Sequence, residues 1–237
     1  MIVLKIDNKR YDTYVSIEET PFSVFLKVCG LDMPDELRDY YKIGLAGSNA
    51  DEQLREWAEA YKESDGTAIT NYQLNVMVEL TPGLTKETAQ QTRLSDIRNM
   101  YKEYYSKIAQ LSIHWPFHEN VEEVCDVKIG GKTYYLPSSK ELHTGEKIRM
   151  GEATFEEYSD IAHLMSTSED LDRLPLQIAM LLKESKDERY SLEKSQALVD
   201  SVKQMSTAQA ANVAFFLLRL KINYLISSAH YSSHQEA

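Results

Sequence analysis

"VKIGGKTYYLP", residues 127–137, is the stretch whose reading decides how this chain is built. Its Gly-Lys-Thr matches the close of a phosphate-binding loop. Such a loop begins on a glycine five positions before the glycine of the Gly-Lys and runs into a helix whose N-terminal amides face the phosphates. Here Asp126 stands at the first glycine position, and "YYLP" follows Thr133. A carboxylate at that point repels phosphate, and β-favouring tyrosines do not open a helix, so the nucleotide reading fails. The alternative is a β-hairpin with Gly130-Gly131 as its loop, because glycines accept the positive φ angles of a type I′ turn. Pairing across that turn sets Ile129 opposite Lys132 and Val127 opposite Tyr134. Cys125 and Leu136 complete one apolar face suited to covering a core.

The same construction occurs near the start of the chain. In "LKIDNKRYDTY" the turn falls on Asp7-Asn8, with Ile6 opposite Lys9 and Leu4 opposite Tyr11. Each hairpin precedes a helical pattern. In "ETPFSVFLKVCGL" the apolar positions are Phe22, Phe25, Val28 and Leu31, with Pro21 suited to the first helical position. In "EATFEEYSDIAHL" they are Phe155, Tyr158, Ile161 and Leu164 at the same spacing, and Thr154 with Glu157 forms a capping box. The echo of hairpin and helix points to an internal duplication, the second copy carrying an insertion around "SSKELHTGEK".

The remaining segments read as helices. "DEQLREWAEAYKES" sets Leu54, Trp57, Ala58 and Tyr61 on one stripe. "ITNYQLNVMVEL" fits a helix through Ile69, Tyr72, Val76 and Leu80, although its β-branched content also permits a strand; Pro82-Gly83 ends it in either case. "TKETAQQTRLSDIRNMYKEYYSKIAQL" predicts one continuous helix with Leu94, Ile97, Tyr101, Tyr104, Ile108 and Leu111 in register. Pro116 stops it and places a boundary near "HWPFHEN". Three more helices follow, one with Pro175 at its start, one opened by Ser191 and one opened by Thr207. The last carries Val213, Phe216, Leu217, Leu220 and Tyr224 on its apolar face. The expected class is therefore α+β and mostly helical, with two hairpin-plus-helices units over residues 1–118 and 119–237.

Composition narrows the function. The chain has 237 residues, 43% hydrophobic and 27% charged, enough for one large or two small domains with a proper core. Its 26 Lys and Arg against 37 Asp and Glu give a net charge of −11, the wrong sign for a general grip on nucleic acid. Cys29 and Cys125 lie far apart in sequence and suggest neither a disulfide framework nor a CxxC site, which fits a reducing compartment. The N-terminal "IVLKIDNKRY" lacks the pattern of a secretory leader, so a cytosolic location is expected. "AANVAFFLLRLKINYLI" is interrupted by Asn212, Arg219, Lys221 and Asn223, which makes it a core helix and no membrane span.

Side chains with chemical potential each have a plainer use. His114 with His118, and His230 with His234, have the four-residue spacing of helical metal ligands. However, Pro116 lies inside the first pair, the second lies in a polar tail, and no third ligand is near, so no metal is expected. Glu122-Glu123, Glu156-Glu157 and Glu169-Asp170 sit beside helix-start signals. No GxSxG, HExxH, GxGxxG or kinase-like set is present, and nine glycines leave few cofactor loops. The expectation is a protein without catalytic residues or cofactor; an enzyme with a non-motif active site is the distant alternative.

Fifteen tyrosines are the outstanding feature. Tyrosine joins a large contact area to a hydrogen-bonding tip, so it serves both half-buried packing and protein interfaces. The interface candidates are Tyr101, Tyr104, Tyr105, Trp115 and Phe117. An aromatic platform for single-stranded nucleic acid is disfavoured, because basic residues do not dominate around them.

"CDVKIGGKTYYLP", then "MGEATFEEYSDIAHL", then short helices ending in "AFFLLRLKINYL", resemble small structural and assembly proteins from the tail-gene region of tailed bacteriophages. The similarity is greatest to those of the crAss-like phages of gut Bacteroidales. It covers roughly residues 125–226 and carries over no catalytic residue. It implies a component of the virion, as a ring in the tail or portal region or as packaged cargo, with other phage structural proteins as partners and an oligomer or large assembly as its state. It also admits an assembly chaperone absent from the finished particle. The implied location is the virion, and the host cytoplasm during assembly. An acidic surface suits a DNA conduit, to which the genome must not stick.

Overall fold

In the computed structural model of the chain the described residues are 1–6, 8–43, 49–117, 121, 124, 126–136, 173–185, 188, 191–216 and 218. They form a mostly helical α+β protein with two antiparallel two-stranded sheets. The chain divides into two compact units, Met1–Trp115 and Pro116–Ala237, so the break falls at the helix-stopping proline itself, just before the expected 118/119 boundary.

Both hairpins have the registers that their turn residues predict. Strand β1 (Ile2–Ile6) pairs with β2 (Lys9–Thr13), with Ile6 opposite Lys9 and Leu4 opposite Tyr11. Asn8 takes φ 59°, a left-handed value that asparagine tolerates better than most residues. In the second unit β3 (Asp126–Ile129) pairs with β4 (Lys132–Tyr135), with Ile129 opposite Lys132 and Val127 opposite Tyr134. Gly130 and Gly131 take φ 57° and 84°, the two positive angles of a type I′ turn. One face of each hairpin is buried: Leu4 and Ile6 in the first, and Val127, Ile129, Tyr134 and Leu136 in the second. Cys125 and the expected second-copy helix with Phe155, Tyr158, Ile161 and Leu164 lie outside the described residues, so the echo extends here over the hairpins alone.

After the first hairpin, α1 (Phe22–Cys29) buries Phe22, Phe25 and Val28. Pro21 occupies the N-cap with ψ 142°, one residue earlier than expected. Helix α2 (Asp35–Ile43) was not anticipated. It begins after Pro34 with Asp35 and Glu36 in its first turn, and its core anchors Leu37 and Tyr41 stand four apart. Helix α3 (Ala50–Ala60) forms as predicted, but none of its side chains is buried.

Helix α4 (Thr67–Glu79) settles the ambiguity of its β-branched sequence in favour of helix. Asp65 starts it by accepting the Thr67 amide at 2.8 Å, and Gly66 supplies a left-handed φ of 69°. Tyr72, Leu74, Val76 and Met77 are all buried, so the helix is covered on more than one side and shows no simple apolar stripe. It ends in a type II turn in which the Leu84 amide donates to the Thr81 carbonyl at 3.0 Å. Gly83 holds φ 80° there, with open space where a Cβ would stand. Gly83→Ala is therefore expected to cost about 1 kcal/mol through backbone strain alone. Denaturant unfolding would measure it, and a loss near zero would contradict this reading of the turn.

The predicted continuous helix is corrected in two places. A short α5 (Lys86–Ala89) stands apart, because the Gln91 and Thr92 amides bond to carbonyls three residues back, and that tighter winding does not continue into an α-helix. Arg93, at ψ 139°, then starts α6 (Leu94–Met100). This runs through a π-helical turn, Tyr101–Tyr105, into α7 (Ser106–His114). Ile97, Tyr101, Tyr105 and Ala109 are all buried and recur every four residues. At 3.6 residues per turn, three such steps drift by roughly 120°, and the residue added by a π turn takes up most of that drift. Tyr105 consequently enters the core, where the sequence pattern had placed Tyr104, and Leu94 at 47% exposure falls off the stripe.

In the second unit α8 (Leu174–Leu181) starts with Pro175 in its first turn, and α9 (Leu192–Lys203) is capped by Ser191, as expected. Residues 207–216 are helical, and the cap is Ser206, not Thr207. The Gln209 amide donates to Ser206 Oγ at 3.2 Å while Gln209 Oε1 accepts the Ser206 amide at 3.4 Å, a reciprocal capping box. Val213 and Phe216 are buried; Leu217, Leu220 and Tyr224 lie outside what is described. No helix among the described residues is long and apolar enough to cross a membrane.

Candidate protein-contact surface

Two of the five aromatic interface candidates are core residues. Tyr101 is packed edge-on to Tyr72, with ring centroids 6.4 Å apart, and its hydroxyl meets that of Tyr41 at 2.7 Å. Tyr105 is fully buried, with its hydroxyl 3.0 Å from Thr13 Oγ1. Neither has surface to offer a partner, which corrects the expectation for both; the four-residue repeat explained above turns them inward. Trp115 is half-buried and stacks on Phe22 and Phe25, at 5.5 and 5.0 Å between centroids. Tyr104 is half-buried, and its phenol is hydrogen-bonded to Glu103, which pushes its pKa up. Phe117 is 52% exposed and meets Phe215 edge-on at 5.8 Å.

The buried tyrosines share an electrostatic property. Loss of solvation raises the Tyr41 phenol to about 12 and pushes Tyr72, Tyr101 and Tyr105 upward as well. Burial also lifts the Cys29 thiol to about 12. In each case the folded pKa exceeds the unfolded one. The associated stability is therefore complete below the ordinary pKa and is lost as pH rises toward the folded value. The first unit is expected to unfold cooperatively in alkali above about pH 10, with tyrosinate absorbance and loss of helix appearing together. Complete ionisation of all the tyrosines with the far-UV circular dichroism intact would contradict this.

The aromatic cluster at the surface lies elsewhere, where α3 meets α2. Trp57 Nε1 donates to the Glu36 carbonyl at 2.8 Å, and the Tyr61 hydroxyl donates to Asp39 Oδ2 at 2.8 Å. Just beyond the helix, Ser64 Oγ donates to Glu36 Oε2 at 2.6 Å. These bonds attach α3 through its aromatic side chains. The Tyr40 ring lies 5.2 Å from Trp57, and Trp57 lies 6.1 Å from Tyr61. Tyr40 stays 45% exposed and Leu54 39% exposed, while Trp57 and Tyr61 are half-buried, so the predicted stripe of α3 is real but only partly covered. Tyr40 was missed because α2 was missed. The signal was present in "PDELRDYYKI", where proline and two acids precede apolar residues at helical spacing.

The second unit has an open cavity of about 290 Å³ lined by Tyr134, Met180, Lys183, Glu188, Lys194 and Ser195, among others. Glu188 and Lys194 form an ion pair in its wall. The hydrogen bond from Lys194 holds the Glu188 carboxyl below the usual carboxylate range, and Glu188 in turn holds the Lys194 ammonium above its usual value. Both shifts move away from neutrality, the reverse of what a general acid or base at this pH needs. No group of three His, Cys, Asp or Glu side chains suited to a metal occurs among the described residues. His114 ends α7 with Nδ1 unpartnered, and His118, His230 and His234 lie outside the described residues.

No protein-family model, curated protein or solved structure matches this chain.

Proposed function

We propose that this is a non-catalytic structural protein that works through protein contacts. The assembly it serves is a tailed-phage virion, in which it is a tail- or portal-region ring component or packaged cargo. The observation that carries the protein-contact reading is the α2–α3 surface. There a rigid aromatic group is held by hydrogen bonds on one side while Tyr40 and Leu54 stay open on the other. Trp57 and Tyr61 are fixed by these bonds while Tyr40 and Leu54 beside them stay partly in water, so part of the surface is ordered before a partner arrives and less conformational entropy is lost on binding. The virion assignment is supported by the resemblance to phage tail-region proteins.

Quantitative mass spectrometry of purified particles of a phage carrying this gene tests the assignment. A virion component persists at a fixed copy number through density-gradient purification. Depletion from particles, with abundance in infected cells, would instead point to an assembly chaperone.

A further inference from the structure

We propose that the Tyr40–Leu54–Trp57 face docks a cationic, arginine- or lysine-bearing segment of another protein; this rests on the protein-contact reading above and names the partner's chemistry.

Charge is the first argument. Residues 35–65 carry nine acidic side chains against four basic ones, a net of −5 out of the chain's −11. Three of the four cations are engaged locally: Arg38 with Asp35 at 2.8 Å, Lys42 with Asp39 at 3.5 Å, and Lys62 with Glu59. Asp51, Glu52, Glu56 and Glu63 have no ion-pair partner among the described residues. At 100° per residue Asp51 falls beside Leu54 and Ala58, with Arg55, the fourth cation, just beyond it; Glu52 and Glu56 lie around the far side of α3 and Glu63 follows the helix, so these three reach the face only through the longer-range field. The Asp39 hydrogen bond, with the nearby charges of Asp39, Asp35 and Glu36, raises the pKa of the Tyr61 phenol, so the aromatic group lies in a negative potential.

The second argument is the aromatic geometry. Trp57 and Tyr61 are fixed by their hydrogen bonds, and Tyr40 is tilted 54° to Trp57, leaving ring surface open. Ring faces carry negative charge density and attract guanidinium or ammonium groups, each contact contributing about 0.5–1 kcal/mol at an exposed site. A neutral apolar partner would cover carboxylates without compensating them, and an acidic partner or nucleic acid would meet like charge. A cationic segment satisfies both the rings and the carboxylates.

The test titrates the full chain, by calorimetry at physiological ionic strength, with a short acetylated peptide alternating leucine and arginine. Counterparts carry glutamine or glutamate in place of arginine. The arginine peptide is expected to bind at least about tenfold tighter than the glutamine peptide. A Tyr40→Ser, Leu54→Ser double variant leaves the net charge unchanged and is expected to lose about tenfold. Tyr40→Leu keeps apolar bulk without the ring face and is expected to fall between. Equal binding of the arginine and glutamine peptides would overturn the cationic partner while leaving the protein-contact reading standing. Unchanged arginine-peptide affinity in both variants, or no binding of any peptide, would overturn the proposed site. Failure of the virion assignment would be read separately, from particle composition.

Discussion

Phe25→Ala lowers the unfolding free energy of the first unit by about 4 kcal/mol, within the range typical for truncating a fully buried phenylalanine. Phe25 has no exposed surface, and its ring is stacked against both Phe22, at 6.3 Å, and Trp115, at 5.0 Å. Trp115 comes from the end of α7 and the phenylalanines from α1, so the stack joins elements distant in sequence. Truncation removes apolar burial and leaves a cavity that a stacked ring system cannot easily close. Denaturant unfolding of the full chain followed by tryptophan fluorescence measures the loss. Phe117→Ala, at a residue 52% exposed, is the control and changes stability by no more than about 0.5 kcal/mol. Similar losses for both would mean that the stack is not a core.

Thr13→Val is the second large effect, at about 3 kcal/mol, although the substitution alters side-chain volume very little. Thr13 Oγ1 lies 2.8 Å from Thr81 Oγ1, 3.0 Å from the Tyr105 hydroxyl and 3.0 Å from the Leu80 carbonyl, and all of it is buried. One hydroxyl thus connects the first hairpin, the end of α4 and the π turn. Valine leaves the Tyr105 and Thr81 hydroxyls without this partner in a site closed to water, whereas Leu80 keeps the Tyr14 amide at 2.9 Å. The Thr13→Val, Tyr105→Phe pair is expected to be less destabilised than the sum of the single variants, because the second change removes one of the hydroxyls that lost its bond to Thr13. Strict additivity in that cycle would contradict the network.

The hairpins were legible in the sequence to the level of register. Gly130-Gly131 and Asp7-Asn8 prescribe the turn, and a two-residue turn leaves no freedom in the pairing of Ile129 with Lys132 or of Ile6 with Lys9. The π turn was not legible, because a helical pattern is read at a fixed period, and Tyr104 and Tyr105 are chemically identical at adjacent positions. Only packing against Thr13 and Thr81 decides which of them turns inward. The surface aromatic group was half legible. The stripe of α3 was visible as amphipathic, and amphipathicity predicts burial. The structure leaves Leu54 partly open because α3 is held through Trp57 and Tyr61 to α2 and is not sunk into the core. The pairing of that stripe with Tyr40 depends on a tertiary contact across a connection that sequence periodicity does not describe.

We propose that the α2–α3 aromatic face is where this protein meets its partner. Oxidative footprinting of Tyr40, Leu54 and Trp57, comparing the free chain with the same chain in purified particles, tests it most directly. Strong labelling of Tyr40 and Leu54 is expected in the free chain, with marked protection of both on assembly. Equal labelling of these residues in the two states would contradict it.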